Sequence, residues 1–347
     1  VVPSLAVASE MRRRGHMALF IGTQRGLEAK LAPQADFPIE WIEIGGLNRV
    51  GLARQLHTLW QLPVSVWRSW AILRRAKPAA VFSMGGYVAA PVVLAAILRR
   101  VPLVVMEPNA MPGLVSRWLA RFVYRALVAF EEARAFFPAG RSEVCGLPVR
   151  QEFFAVPERA PGAVFTVLLT GGSRGARALN RLARECWPLL RQASAERGVP
   201  VRWIHQSGAN EFEALRSAFA DAGLDGEVAP FFSDMAGEYA NADLIVSRSG
   251  AGAVAEIAAA GRPAILVPFP YAADDHQRHN AQAFERAGAA LLFDEAGLTG
   301  GMLCDAIVKL AADPERRREM GRNARKLAHP GAAQRAADVL EEAAARR

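Results

Sequence analysis

The stretch Val246-Ser247-Arg248-Ser249-Gly250-Ala251-Gly252-Ala253-Val254-Ala255-Glu256 has the composition of a phosphate cradle. An apolar run, Asp243 to Val246, precedes it and reads as a buried strand; Ala251 to Ala260 follows as a helix stopped by Gly261 and Pro263. The unpaired N–H groups of a helix start and the positive end of its dipole would meet there. Ser249 could cap the helix or donate, and Gly250 and Gly252 carry no side chain to hold a ligand off the backbone. Glu256 falls one turn beyond Gly252 on the same helical face, where a carboxylate can accept hydrogen bonds from sugar hydroxyls. The pattern points to a nucleotide with its ribose.

Positioning such a turn takes a strand before it and a helix after it, and the rest of the chain repeats that unit. Predicted strands in the first half are Met17–Ile21, Ile39–Ile44, Ala80–Ser83, Leu103–Met106 and Leu127–Phe130, with helix over Leu52–Ala76, Val92–Leu98 and Pro112–Phe122. A second series starts near Ala163. Its strands are Phe165–Thr170, Val201–His205, Val228–Pro230, Leu244–Ser247, Ala264–Val267 and Ala289–Phe293, with a glycine loop at Gly171–Gly175 and a helix from Ala176 to Gln192. Strand and helix at this spacing predict an α/β protein of two Rossmann-like domains, parallel sheets facing across a cleft, with ligands at the carboxyl ends of the strands. The expected division is 1–150, a linker at 151–162 that overlaps the Pro-bearing stretch Pro148–Pro161, and 163–347 with its C-terminal helices.

The 347 residues, 52% apolar and 22% charged, suit a globular chain of two domains. Cys145, Cys186 and Cys304 have no close spacing, so neither a disulfide framework nor a zinc site is expected, and a reducing compartment is. No secretory signal is visible, and the apolar stretch Ala79–Leu98 is broken by Gly85-Gly86 and Pro91, against a membrane span. Charge is uneven: residues 1–150 hold 19 Lys/Arg against 9 Asp/Glu, a net of +10, whereas the remainder holds 23 against 25. An anionic surface, nucleic acid or acidic lipid, is the expected partner of the first half. Leu59, Trp60, Trp67 and Trp70 with Arg54, Arg68, Arg74, Arg75 and Lys77 combine aromatic and cationic groups as a lipid interface does.

Gly171–Gly175 invites a dinucleotide reading, but that fingerprint requires an acid at the end of the next strand, and His205-Gln206-Ser207-Gly208 stands there. No Walker Lys-Ser/Thr pair and no Asp-X-Asp chelate occurs among the candidate loops, so neither triphosphate hydrolysis nor an obligatory metal or cofactor is expected.

Met84-Gly85-Gly86-Tyr87, Gly171-Gly172-Ser173-Arg174-Gly175-Ala176-Arg177, His205-Gln206-Ser207-Gly208, Arg248-Ser249-Gly250-Ala251 with Glu256, and Asp275-His276-Gln277 with Asn280 together resemble the MurG family across essentially the whole chain. The resemblance implies the glycosyltransferase-B fold and inverting transfer of N-acetylglucosamine from UDP-GlcNAc to the muramyl 4-hydroxyl of undecaprenyl-diphospho-MurNAc-pentapeptide, lipid I giving lipid II. It further implies peptidoglycan synthesis on the cytoplasmic face of the bacterial inner membrane, with anionic lipid and no nucleic acid as partner.

Its donor-site positions fall on Ser173 at the diphosphate, Phe232 at the uracil through its backbone, Ala251, Gly252, Ala253 and Val254 at the phosphates, and Glu256 on the ribose. His276, Gln277 and Asn280 fall at the sugar hydroxyls, Asn109 and Arg150 match two further donor positions, and Gly85, Gly86 and Tyr87 belong to the acceptor side. Two neighbours depart from the pattern: Pro108 stands where the family has Gln, and Leu147 where it has Asn. The chain opens Val1-Val2-Pro3 directly into a helical pattern, so the first strand and its glycine loop, which carries the family's proposed general base, are expected to be missing. His16 reads as a surface or turn histidine. Two other readings of the same features are a UDP-sugar epimerase and a catalytically impaired nucleotide-sugar-binding membrane scaffold.

Overall fold

Among the described residues twelve strands alternate with helices, in two units, the first drawn from two segments of the chain and the second from one. The computed structural model describes residues 1–45, 52–86, 88–160, 162–172 and 175–346, with the side chains of 52–60 outside the description. The first unit comprises Val1–Pro148 and His329–Arg347, and the second Val149–Ala328.

In the first unit β1 (Phe20–Gly22) and β2 (Ile39–Trp41) pair in parallel, and β3 (Val81–Ser83), β4 (Leu103–Glu107), β5 (Arg125–Val128) and β6 (Ser142–Val144) form a second parallel sheet in that order. β4 is buried along its whole length. Its LVVME run meets helices on both faces, as a central parallel strand must. The apolar stretch Ala79–Leu98 divides into β3 and the helix Ala89–Leu98. Among the described residues no helix is long and apolar enough to cross a membrane.

The C-terminal helix Ala332–Ala344 does not stay with the second series, as the sequence led us to expect, but packs on the opening helix Val2–Arg13 of the first unit. An apolar face of Ala332, Ala336, Ala337, Val339, Leu340 and Ala343 is buried, and ion pairs flank the contact. Arg14 reaches Asp338 at 2.7 Å and Glu341 at 2.9 Å, and Arg335 forks onto Glu143 at 2.7 and 3.0 Å. His16 joins the same network, 2.8 Å from Glu341. These contacts depend on residues far apart in the chain, which local periodicity cannot express.

The second unit is a single parallel sheet of β7 (Phe165–Thr170), β8 (Val201–Gln206), β9 (Asp225–Ala229), β10 (Leu244–Ser247), β11 (Ala264–Leu266) and β12 (Ala290–Leu292). Its spatial order is β12-β11-β10-β7-β8-β9. The chain therefore winds outward from β7 in one direction and from β10 in the other. Between those two strands the loops at the carboxyl ends diverge and leave a crevice. Behind them, Trp187 packs edge-on against Trp203 and Phe219. Cys186 and Cys304, distant in sequence, both lie buried in this core.

Two local expectations change. The strand expected at Val228–Pro230 begins at Asp225, because Gly226, at φ +137°, lies so close to Trp203 that a Cβ there would stand 1.9 Å from its carbonyl oxygen. The stretch Pro148–Pro161 is not a plain linker. It holds the helix Gln151–Phe154, whose Phe153 is fully buried edge-on against Tyr239 at 5.1 Å, and Arg325 donates to the carbonyls of Phe154 and Val156.

Candidate active site

At the carboxyl end of β10 the chain turns through Arg248, Ser249 and Gly250 into the helix Ala251–Ala260. Ser249 is fully buried; its Oγ donates to the carbonyl of Gln277 at 2.7 Å, while Asn280 Nδ2 donates to the Ser249 carbonyl at 3.0 Å. These two bonds clamp the turn to the helix His276–Arg286. Ser249 therefore does not cap the helix, and Asn280 braces the turn from within. The N-cap is Gly250, extended at φ −63°, ψ 147°, with no side chain over the helix end. Val254, expected at the phosphates, is 1% exposed and its N–H is bonded to the Gly250 carbonyl. Ala251, Gly252 and Ala253 are left to offer first-turn N–H groups that have no intrahelical acceptor. A Cβ on Gly252 would meet nothing within 4 Å.

The loop after β7 supplies the opposite wall. A Cβ on Gly171 would stand 2.5 Å from the Ala176 nitrogen, and one on Gly175 would stand 2.0 Å from the Ser207 carbonyl oxygen. Side chains at either position would push the loop off the strand ends. Behind the loop His205 is fully buried. Asn180 Nδ2 already donates to Ser207 O and Glu211, so its Oδ1 must accept, and the His205 ring carries its proton on Nε2, 2.9 Å away. Burial holds that imidazole down to about 3, so it stays neutral and serves the architecture. Gln206 ties the end of β7 to the segment after β9: Nε2 donates to Thr170 Oγ1 at 3.4 Å and Oε1 accepts from the Phe232 N–H at 3.0 Å. With its amide so engaged, Phe232 has only its carbonyl to offer a base.

Together these segments line a cavity of about 800 Å³ in the second unit. Arg150, Glu256 and Gln277 line it too. Burial raises the Glu256 carboxyl to about 7, against the opposing pull of the Arg150 charge, and the carboxylate accepts no hydrogen bond from any described residue. Arg150 stacks its guanidinium 4.9 Å from the centre of the Phe153 ring. Gln277 Oε1 accepts from the Phe269 N–H at 3.0 Å, which leaves its NH2 to face the cavity above Gly250. His276 instead turns Nδ1 to the Ala273 carbonyl and is not among the lining side chains.

Among the lining residues that had no expected role are Gln206, quoted above only as part of a motif, and Glu295. Glu295 pairs with Arg248 at 2.5 Å, and Arg248 is further tied to the carbonyls of Val267 and Pro268. Gln206 stands where a dinucleotide site would need its acid, so its position was visible in the sequence although its role was not.

The remaining expected residues lie in the first unit or outside the described residues. Asn109 follows β4, its backbone N–H and Nδ2 both directed at Glu107 Oε1. The buried Glu107, raised by desolvation, thereby organises that turn. Gly85 adopts φ +71°, with its N–H on Ser83 Oγ, and Gly86 φ +82°. Ser173, Tyr87 and the side chains of Leu59 and Trp60 lie outside the described residues. Trp67 is 68% exposed, but Trp70 packs on the core with Arg74 and Arg99 on its ring, so it is not a free membrane anchor. Exposed apolar residues that the reading missed are Leu98, Leu114, Trp118 and Phe122, interleaved with Arg99, Arg100, Arg117 and Arg121.

Residues 1–128 match the model of the glycosyltransferase family 28 N-terminal domain and residues 166–338 that of its C-terminal domain. The chain is 55% identical over 344 residues to the UDP-N-acetylglucosamine–N-acetylmuramyl-(pentapeptide) pyrophosphoryl-undecaprenol N-acetylglucosamine transferase of Solibacter usitatus, covering 99% of this chain and 93% of that protein. To the enzyme of the same description from Halorhodospira halophila it is 45% identical, covering 99% and 95%. The crystal structure of Acinetobacter baumannii MurG matches with a TM-score of 0.82 at 32% identity, over 98% of this chain and 95% of that one. A UDP-GlcNAc 2-epimerase from Neisseria meningitidis, 12% identical with a TM-score of 0.63, shares the fold alone. The chain belongs to glycosyltransferase family 28, among the N-acetylglucosamine transferases of the MurG family.

Proposed function

We propose that the chain binds UDP-GlcNAc in the cavity at the carboxyl ends of β7 and β10 and transfers its sugar, with inversion, to the muramyl 4-hydroxyl of an undecaprenyl-diphospho-MurNAc-pentapeptide. The observation that carries this reading is the open first turn of the helix Ala251–Ala260 in one cavity with Glu256, which accepts no hydrogen bond from any described residue. The N–H groups of Ala251, Gly252 and Ala253 bind the diphosphate, and the helix dipole stabilises the charge that grows on it as the anomeric C–O bond breaks. Glu256 accepts from ribose hydroxyls and the Phe232 carbonyl from the uracil N3–H. Gln277 donates its NH2 to a hydroxyl of the sugar, and Arg150 adds positive charge near the ribose.

The acceptor side rests on the first unit. Trp67, Leu98, Leu114, Trp118 and Phe122, exposed among arginines, support peripheral docking on an anionic membrane surface, where apolar groups enter the interface and guanidinium groups meet headgroups. Donor binding is the direct test. Calorimetric titration should give one site for UDP-GlcNAc, comparable binding of UDP, and none of NAD. Absence of any uridine nucleotide binding would refute the assignment. Conversion of free UDP-GlcNAc without a lipid acceptor would point to an epimerase instead.

A further inference from the structure

A second cavity, of about 120 Å³, opens at the other end of the same sheet, where Asp243 precedes β10 and Pro263 precedes β11. Its wall is the helix Pro314–Lys326, drawn so close that a Cβ on Gly321 would stand 2.7 Å from the Gly261 carbonyl oxygen. Arg318, Arg322 and Arg325 recur on one face of that helix at the i, i+4, i+7 spacing, and Arg317 is beside them. Arg159 and Arg262 complete a set of six guanidinium groups around the cavity.

Part of this set is structural. Arg262, 1% exposed, donates from Nε and Nη2 to the carbonyls of Tyr239 and Ala240. Arg325 caps the last carbonyls of the helix Ala251–Ala260, and Arg317 holds those of Leu310 and Ala311. The rest is not accounted for in this way. Arg262 Nη1 has no acceptor among the described residues, the buried Arg318 Nε has none, and Arg322 makes no hydrogen bond or ion pair with any described residue. The available carboxylates are few. Asp243 divides its oxygens between the Thr166 N–H at 2.8 Å and Arg159 at 3.3 Å, Glu315 is turned onto Arg318, and Glu158 is the one other carboxylate in the lining among the described residues. Burial, with the neighbouring charges of Arg159 and Arg325, brings Arg262 down to about 10.

We propose that this cavity is an anion site, separate from the donor site, that takes a single phosphate group on the unused donors of Arg159, Arg262, Arg318 and Arg322. Guanidinium forks match tetrahedral oxyanions in geometry and keep their charge at any physiological pH. The volume is well under the roughly 300 Å³ at which clefts for larger organic ligands begin. It suits the phosphate itself and not a nucleotide. The group could be free inorganic phosphate or the phosphate of a lipid headgroup; the chemistry of recognition is the same.

The test is thermal unfolding of the whole chain with saturating UDP, so that the donor site is filled, in millimolar inorganic phosphate against chloride at equal ionic strength. A parallel arm measures pelleting with phosphatidylglycerol vesicles against phosphatidylcholine vesicles. The comparison protein is the Arg318→Ser, Arg322→Ser double variant, which keeps every arginine that holds a backbone carbonyl. A phosphate-dependent rise in Tm of about 2 °C or more that disappears in the double variant identifies a free anion as the occupant. Preferential pelleting with phosphatidylglycerol, lost in the variant, identifies a headgroup. No response in either arm, or a response that survives both substitutions, overturns the proposal.

Discussion

The two ends of the six-stranded sheet meet negative charge in opposite ways. At the carboxyl end the positive potential comes from the backbone: first-turn amides at Ala251, Gly252 and Ala253, with Gly250 keeping the approach open. A helix end carries roughly half an elementary charge. At the amino end, six full guanidinium charges surround a far smaller space. A transferase has to hold a diphosphate while it departs and then release it, which favours dipoles that are fixed in place and modest in strength. An array of arginines favours retention. If both proposals hold, one sheet carries a site built for turnover and one built for occupancy, and the distinction lies in whether backbone or side chain supplies the charge.

Substitution can break this contrast from either end. The largest effect is expected for Gly252→Asp, which projects a carboxylate into open space where the phosphates are held. Repulsion between like charges across such a distance costs several kcal/mol, so UDP affinity should fall about 100-fold or more. Calorimetry would show this while Tm hardly moves, because the position is helical and uncrowded. Intact binding would mean that the diphosphate does not use this helix.

Next comes Glu256→Gln. Removing a charged acceptor from the ribose should weaken UDP roughly tenfold. The pH dependence is sharper evidence. With its carboxyl raised to about 7, Glu256 is mostly protonated at pH 6 and mostly ionised at pH 8, so if the ionised form is the one that binds, UDP should bind about tenfold more weakly at pH 6. The Gln variant should show no such slope. Stability runs the other way. The folded state holds this proton more tightly than the unfolded one, so its stabilising effect is present below the ordinary carboxylate range and is lost as pH rises through about 7. The Gln variant should therefore gain in Tm relative to the parent between pH 5 and pH 8.

The smallest effect on the nucleotide is expected at the far end. Gly321→Ala forces a methyl group against the Gly261 carbonyl and should lower Tm by a few degrees through overpacking of about 1–3 kcal/mol. UDP affinity should stay within twofold. A large loss would show that the helix Ala251–Ala260 transmits strain from one end of the sheet to the other.

Much of this was visible in the sequence, for physical reasons that vary by element. Phe165–Thr170 and Leu244–Ser247 were read to the residue because strands buried on both faces are uninterrupted apolar runs bounded by glycine or serine. Leu52–Ala76 was likewise read at its full length. Edge strands were not: Ser142–Val144 is short and half polar, and Asp225–Ala229 carries the Asp-Gly pair that ordinarily signals a turn. At the site, Gly250 and Gly252 were legible because the requirement there is on the backbone. The roles of Ser249 and Asn280 were not, since both are determined by a helix that arrives from another part of the chain. The same holds for Glu256, whose raised carboxyl reflects burial that no local pattern encodes.

The return of the helix Ala332–Ala344 to the first unit also orders events in time. Residues Val149–Ala328 are contiguous, so that unit can complete its sheet as soon as it leaves the ribosome. The first unit is synthesised earlier but acquires the partners of Arg14 and Glu143 only with the last residues of the chain. Domains usually mature in the order of their synthesis. Here the unit that begins first is closed last: its helix Val2–Arg13 has the apolar cluster of Ala8, Ala32 and Phe37 early, but the face of Ala332–Ala344 only at the end.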